Sequence, residues 1–355
     1  MEGDHVTTPA QTAARRGSDR ALLGAALLCV CGQAAAADDA AAACRSIADD
    51  AQRLACYDTR FGQAPQAPAP VPAATEPAAA ARPEEATTRP GSWLARLWDL
   101  DPESRRGTFE LRPHQASYVL PVRYSTHPNS RPSSPAPNHS VSEPLGLDHT
   151  EAKFQLSLKL KVAENLIGDN GDLWFGYTQQ SSWQLYNRSI SSPVRETNHE
   201  PELIFSWRTG VDVLGWRWRL LNLGLAHQSN GRGQPLSRSW NRAYAMFGLE
   251  RGDYALLVRP WKRLREGSND DNPDIDRYLG SGDVRLVYTR GGHVLSALGR
   301  FGDGGRGLLQ LDWAFPVVPR LNGYLQLTHG HGESLIDYNH RQTTLGVGIL
   351  LLPWQ

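Results

Sequence analysis

The chain has 355 residues, with 37 Lys and Arg against 37 Asp and Glu, so its formal net charge is zero. That balance excludes the basic excess typical of nucleic-acid-binding proteins. Beyond the N-terminal region no apolar run approaches the ~18 residues of a membrane-spanning helix, whereas a barrel strand needs only about 10 alternating residues. The 11 Trp, 11 Tyr and 33 Gly suit either a transmembrane β-barrel or a large soluble β-sandwich.

Residues 1–37 predict a secretory signal peptide. Three arginines precede an apolar stretch at 21–30, and the alanines at 34–37 offer a cleavage zone of small residues. This arrangement predicts export of the mature chain.

Two segments separate the signal peptide from the main domain. Residues 38–62 have apolar side chains at helical spacing, and Cys44 and Cys56 could form a disulfide there after export. Residues 63–92 are rich in Ala and Pro, which predicts an extended, disordered linker.

Residues 93–355 predict an all-β domain that opens with a short amphipathic helix through Trp93 and Trp98. Farther on, the chain alternates apolar and polar residues, as along a strand with one face toward lipid and one toward a hydrated lumen. About twelve such segments occur, which predicts a twelve-stranded antiparallel transmembrane barrel. The count agrees with the even strand numbers of single-chain bacterial barrels. The predicted strands are 109–126, 153–166, 172–186, 202–213, 216–230, 241–250, 254–264, 278–290, 293–301, 307–318, 323–329 and 343–354.

The strand count also predicts the topology. If the N-terminus lies in the periplasm, odd strands run outward, and the loops at 187–201 and 231–240 are extracellular. The stretch from His227 to Arg232 would then lie at the outer rim.

One strand carries the chemistry. Leu221, Leu223 and Leu225 share a face, and the next residues in that register are His227 and Ser229. A base and a hydroxyl would thus point the same way, with Cα atoms roughly 6.5–7 Å apart. If that face meets lipid, both groups lie outside the barrel, where the accessible substrate is the lipid itself.

Five sequence blocks carry a resemblance: Ser191–Asn198, His227–Arg232, Ser237–Arg242, Asp270–Ile275 and Gly332–Asn339. Together they resemble the outer-membrane phospholipase A family. The resemblance extends from about residue 108 to the end of the chain and implies a Ser-His-Asn triad with Ser229 as nucleophile and His227 as general base. Asn241 would orient the imidazole without a full charge.

The parity of the next strand supports Asn241 independently. Asn241 shares its register with Ala243 and Phe247, so it should face outward beside the other two residues. A simple pairing of the strands sets Asn241 opposite Ser229, so its contact with His227 would need a diagonal or a bulge.

The resemblance further implies a calcium site. Its ligands would be the Arg232 carbonyl, the Ser237 hydroxyl and the partner subunit's Ser191, all hard oxygen donors that suit Ca²⁺. The Gly231 amide would help to stabilise the oxyanion. Gln228 and Gln234 depart from the family, in which Asp is frequent at those positions.

Gln179 continues the outward register of Leu173, Phe175 and Tyr177. An amide facing lipid is costly unless it is paired, and the resemblance implies a homodimer with a buried Gln at this position. A rim position in contact with water is the alternative.

Together these features predict a calcium-dependent outer-membrane phospholipase with A1, A2 and lysophospholipase activity, active as a homodimer. Its active site would lie at the extracellular rim and its termini in the periplasm. A non-enzymatic porin or structural barrel is the alternative from another class, and a soluble secreted esterase is the third.

Overall fold

A computed structural model of the protein describes residues 44–61, 91–190 and 193–352. The signal peptide at 1–37, most of the linker and the calcium-ligand candidate Ser191 lie outside the described residues.

The first compact unit of the chain ends at Glu85. Its described part contains helix α1, Asp50–Phe61, which agrees with the helical spacing in the sequence. The Asp49 carboxylate accepts a hydrogen bond from the Gln52 amide at 2.9 Å, as residues near a helix N-terminus do. The predicted disulfide between Cys44 and Cys56 is present.

The second unit, from Ala86 onward, is a closed antiparallel barrel of twelve strands within its described residues, which confirms the predicted fold. From β2 to β13 each strand pairs with its neighbours in the chain, and β13 pairs with β2 to close the sheet. The short β1 pairs with β3 and shares one barrel position with β2. The strands are β1 Leu111–Pro113, β2 Ser117–Ser125, β3 Thr150–Ala163, β4 Asp172–Trp183, β5 Val194–Val213, β6 Trp216–Ser229, β7 Ser239–Arg251, β8 Tyr254–Leu264, β9 Gly282–Arg290, β10 His293–Phe301, β11 Gly307–Val318, β12 Leu321–His331 and β13 Arg341–Leu352.

The first barrel strand is interrupted. The short β1 and the longer β2 both pair with β3, so together they occupy the position of the predicted strand 109–126. All the long loops, including those between β6 and β7 and between β8 and β9, lie at one end of the barrel. We call this the long-loop end, and the opposite one the short-turn end.

Two strand starts differ from the sequence prediction by four residues or more, and the other boundaries agree to within three. β5 begins at Val194 rather than at 202, so the loop predicted at 187–201 is shorter. The alternation was hidden because the inward residues Glu196, Asn198 and Glu200 are all polar. β9 begins at Gly282 rather than at 278, because the preceding residues form helix α3, Ile275–Leu279.

Ion pairs fill the barrel interior at the long-loop end. Glu333, in the segment between β12 and β13, bonds to the buried side chains of Arg123 and Lys153, the latter at 2.9 Å. Burial alone would raise the pKa of Glu333, but the two cations outweigh it and hold that pKa below its ordinary range. Glu151 bridges Arg123 to Arg195 and extends the network across the lumen.

Helix α2, Trp93–Trp98, fills the interior at the short-turn end and confirms the predicted amphipathic helix. The Ser92 hydroxyl caps it by accepting from the Ala95 amide at 3.2 Å. The Leu94 amide donates to Glu250 at 2.9 Å, and the buried Lys159 ammonium lies 3.4 Å from the centre of the Trp98 ring. No helix in the described part of the chain is long and apolar enough to cross a membrane.

The outer face of the barrel is apolar. Exposed large side chains occur on strands around its circumference, where a lipid-facing band would lie. They include Leu156, Phe175, Leu203, Leu223, Leu225, Leu309, Leu311, Leu327, Leu345 and Val347.

Candidate active site on the outer face of the barrel

A cross-strand pair at the long-loop end forms the centre of the site. His227 on β6 lies directly opposite Asn241 on β7, and its Nδ1 is 2.8 Å from Asn241 Oδ1. The expected pairing of Asn241 with Ser229 is wrong, because β7 begins two residues earlier and Ser239 takes that place. The direct pairing removes any need for a diagonal contact or a bulge.

Ser229 ends β6, two residues beyond His227 and on the same face. Its side chain is half-buried, whereas His227 is exposed. Within the described residues the two side chains do not share a hydrogen bond, and such contacts often tighten only once substrate is bound. The structure therefore joins His227 to Asn241 directly and sets Ser229 beside them.

A buried asparagine organises the loop that follows the nucleophile candidate. The Asn230 side chain accepts from the Arg232 and Arg238 amides, at 3.3 and 3.0 Å, and donates to the Leu236 carbonyl at 2.8 Å. Gly231 turns the chain with a φ of 61°, a conformation that favours glycine. Sequence reasoning assigned no role to Asn230, although its inward parity next to Ser229 was a usable signal.

Oxygen donors gather on this loop and its neighbour. Ser237 Oγ donates to Asp271 Oδ2 at 2.6 Å, and Asp271 Oδ1 lies 3.0 Å from His139 Nε2. Hydroxyl, carboxylate and the nearby backbone carbonyls are the donors that Ca²⁺ prefers. Sequence reasoning missed Asp271 as a site residue. No group of three or more His, Cys, Asp or Glu that could hold a metal occurs in the described ranges.

Arg232 and Gln228, two other positions considered for the calcium site, make hydrogen bonds to different parts of the barrel. Arg232 is held by its guanidinium, which donates to the Arg195 carbonyl at 2.8 Å. The Gln228 side chain points into the barrel, where its Oε1 accepts a hydrogen bond from Trp240 Nε1 at 2.7 Å.

An open apolar groove of about 470 Å³ adjoins the pair. It crosses the outer face from β4 to β8, and His227 and Asn241 form part of its lining. Its apolar lining includes Phe175, Leu203, Leu225 and Leu264. A hydrocarbon chain could lie along it with its polar end at the imidazole.

Gln179 lies on the same side of the barrel, opposite His199 on β5. It is half-buried and accepts a long hydrogen bond of 3.4 Å from the Tyr177 hydroxyl. That hydroxyl also lies 2.7 Å from His199 Nδ1. His199 lies opposite Ser229 on the neighbouring strand β6, so these outward polar groups are next to the triad candidates.

A family model described as phospholipase A1 matches residues 94–351. Phospholipase A1 of Salmonella typhimurium is 40% identical over 244 residues, which cover 68% of this chain and 82% of that protein. Outer membrane phospholipase A from Escherichia coli superposes with a TM-score of 0.63 at 38% identity, over 69% of this chain and 99% of that one. A Salmonella typhi outer membrane phospholipase, solved as a dimer with bound calcium, superposes at 0.64 and 37% identity, over 71% and 96%.

Proposed function

The chain belongs to the phospholipase A1 family, and on that basis we propose that it hydrolyses acyl esters of glycerophospholipids in the bacterial outer membrane through Ser229, His227 and Asn241. The observation that carries the proposal is the 2.8 Å contact between His227 Nδ1 and Asn241 Oδ1 on the lipid-facing surface. A porin without enzymatic function would not need an oriented base beside an apolar groove.

The proposed reaction begins with proton transfer. Asn241 Oδ1 accepts from the His227 Nδ1–H, which leaves Nε2 to take the proton of Ser229. The Ser229 oxygen attacks the ester carbonyl carbon, and the Gly231 amide faces the developing oxyanion. Collapse breaks the bond to the glycerol oxygen, and His227 returns the proton to that leaving alcohol.

Deacylation repeats the sequence with water. His227 takes a proton from water, and the water oxygen attacks the acyl carbon. The bond to the Ser229 oxygen breaks, the fatty acid leaves, and His227 returns the proton to that oxygen. The groove lined by Phe175, Leu203 and Leu225 supports a substrate with a long acyl chain. We include both ester positions of the phospholipid, and lysophospholipids, among the proposed substrates. The reason is that the site lies on the outer face of the barrel, where a lipid can approach laterally.

Calcium fits the oxygen donors near the nucleophile. The ion would be held by the Ser237 hydroxyl and the Asp271 carboxylate, whose oxygens are 2.6 Å apart. The Arg232 carbonyl and the partner subunit's Ser191 would complete the site. When bound, the ion would supply positive charge beside the oxyanion. Gln179, on the same side of the barrel, would lie in the contact of an active homodimer.

The orientation in the membrane follows from the loops. Outer-membrane barrels place short turns in the periplasm and longer loops outside. The long-loop end, with the triad, would therefore be extracellular, and both termini periplasmic.

The test is hydrolysis of phosphatidylcholine in mixed micelles by refolded protein, with calcium and with chelator. Ser229→Ala should lower turnover by roughly 10⁴-fold or more, while the heat-modifiable gel shift of a folded barrel remains. The matched control is Ser181→Ala, an outward β4 serine bonded to Thr197 at 2.9 Å, which should stay active. Substantial hydrolysis by Ser229→Ala would remove this serine as the nucleophile.

A further inference from the structure

A carboxylate lies directly behind the amide of Asn241. Glu266 follows β8 by two residues, and Asn241 pairs with Leu264 at the end of that strand. Glu266 Oε1 accepts a hydrogen bond from Asn241 Nδ2. Its Oε2 accepts from the Ser239 hydroxyl at 3.2 Å. Both carboxylate oxygens are therefore used by donors on β7.

This contact decides which way the Asn241 amide points. An asparagine amide carries an acceptor and a donor of nearly equal shape, and a reversed amide would present NH₂ to the Nδ1–H of His227. An ionised carboxylate can only accept. Glu266 therefore selects the orientation in which Nδ2 faces the carboxylate and Oδ1 faces the imidazole.

The charge of Glu266 is directed at the amide. Within the described ranges no cation lies at ion-pair distance from this carboxylate. The neighbouring Arg263 pairs with Asp270 at 2.6 Å and Asp276 at 2.7 Å, and Arg265 lies 4.0 Å from Asp276. The negative charge thus stands two hydrogen bonds from His227, where a proton arrives during the reaction.

We propose that Glu266 is a positioning residue of this hydrolase, so that the triad extends to Ser229–His227–Asn241–Glu266. The proposal rests on the proposed function, because it has meaning only if His227 is the base. Glu266 holds the Asn241 carbonyl on Nδ1 and supplies, through a neutral amide, part of the stabilisation that an aspartate would give the imidazolium.

A charge exchange tests this role. Glu266→Gln keeps the shape but accepts either amide orientation, so kcat should fall by about tenfold to hundredfold with little change in KM. Asn241→Asp alone should be impaired, since two carboxylates would then meet. Combining Asn241→Asp with Glu266→Gln should restore activity above that of Asn241→Asp, because the glutamine amide can donate to the new carboxylate.

A role in loop packing alone makes a different prediction. Glu266→Gln would then lower activity equally with Asn or Asp at position 241, and that equality would overturn the proposal. The matched control is Asp276→Asn, which removes a charge from the same loop and a partner of Arg263 without touching Asn241. It should stay within about twofold of wild type. An equal loss in Asp276→Asn and Glu266→Gln would also assign Glu266 to loop packing.

Ser229→Ala, measured in parallel, separates the two proposals. Loss of turnover in Ser229→Ala with no effect of Glu266→Gln would overturn the role of Glu266 alone. Substantial turnover in Ser229→Ala would overturn the proposed function instead. The heat-modifiable gel shift of each variant shows that the barrel has folded.

Discussion

Two outward histidines occupy similar places in this barrel, yet we propose chemistry at only one. His227 on β6 and His329 on β12 both lie near the long-loop end, and each bonds through Nδ1 to the residue opposite on the next strand. The partner is Asn241 at 2.8 Å in one case and the Thr343 hydroxyl at 2.7 Å in the other. A cross-strand bond to a histidine is therefore not itself the signature of a site.

The difference lies at the other ring nitrogen. His329 Nε2 is 3.0 Å from the Arg341 guanidinium, so it is already engaged. Two residues farther along β12 stands His331, whereas β6 has Ser229 at that place. Within the described residues, His227 Nε2 has no hydrogen-bond partner of its own. Nucleophilic catalysis needs a base with a free nitrogen and a hydroxyl beside it. Of these two described regions, the one around His227 offers both and the one around His329 does not.

The largest expected effect comes from removing each histidine in turn. His227→Ala should lower phospholipid turnover by roughly 10⁴-fold or more, because the base is lost. His329→Ala should stay within about twofold, since its bonds serve only the rim. Turnover on micelles and the gel shift of the folded barrel are the measurements. A comparable loss in His329→Ala would break the comparison.

The parity of His227 and Ser229 was predictable because strand alternation fixes which side chains share a face. The register between β6 and β7 was not predictable, because it depends on how many residues of the connecting segment belong to the two strands. Asn241 therefore met His227 directly, against expectation. The start of β5 was missed for a related reason: its inward residues are polar, and their partners, such as Arg242 for Glu200, come from distant parts of the chain.

Glu266 and Asp271 show the same limit. Both lie between β8 and β9, and the residues that they contact, Ser239 and Ser237, precede them in the chain by more than 20 residues. The block containing Asp271 was part of the family resemblance, but nothing in its local pattern joins it to Ser237. Such contacts arise because the antiparallel pairing of β7 with β8 places two successive loops next to each other at one end of the barrel.

A smaller effect should distinguish the calcium chemistry of the two regions. His329 has the cation Arg341 beside it, whereas the loop after Ser229 has the carboxylate of Asp271. Asp271→Asn should raise the calcium needed for half-maximal turnover by roughly tenfold to hundredfold, because a charged oxygen donor is lost. Calorimetric calcium titration in detergent provides a second readout. As a control, Asp303→Asn, in the short loop between β10 and β11, should leave the calcium requirement unchanged.

The smallest expected effect concerns Gln179, on the side of the barrel that carries His227. A side-chain hydrogen bond between membrane-embedded segments contributes only about 0.6 kcal/mol on average, so Gln179→Ala should weaken the dimer by about threefold. Calcium held jointly by two chains favours the dimer by mass action, because the monomer lacks part of the site. Sedimentation in detergent across a calcium titration should therefore show monomer released by chelator, and more readily in Gln179→Ala. Leu309→Ala, an exposed residue of β11, is the matched control and should leave the dimer unchanged. A dimer indifferent to calcium and to Gln179 would place the interface on another face and leave Ser237 and Asp271 to bind calcium within one chain.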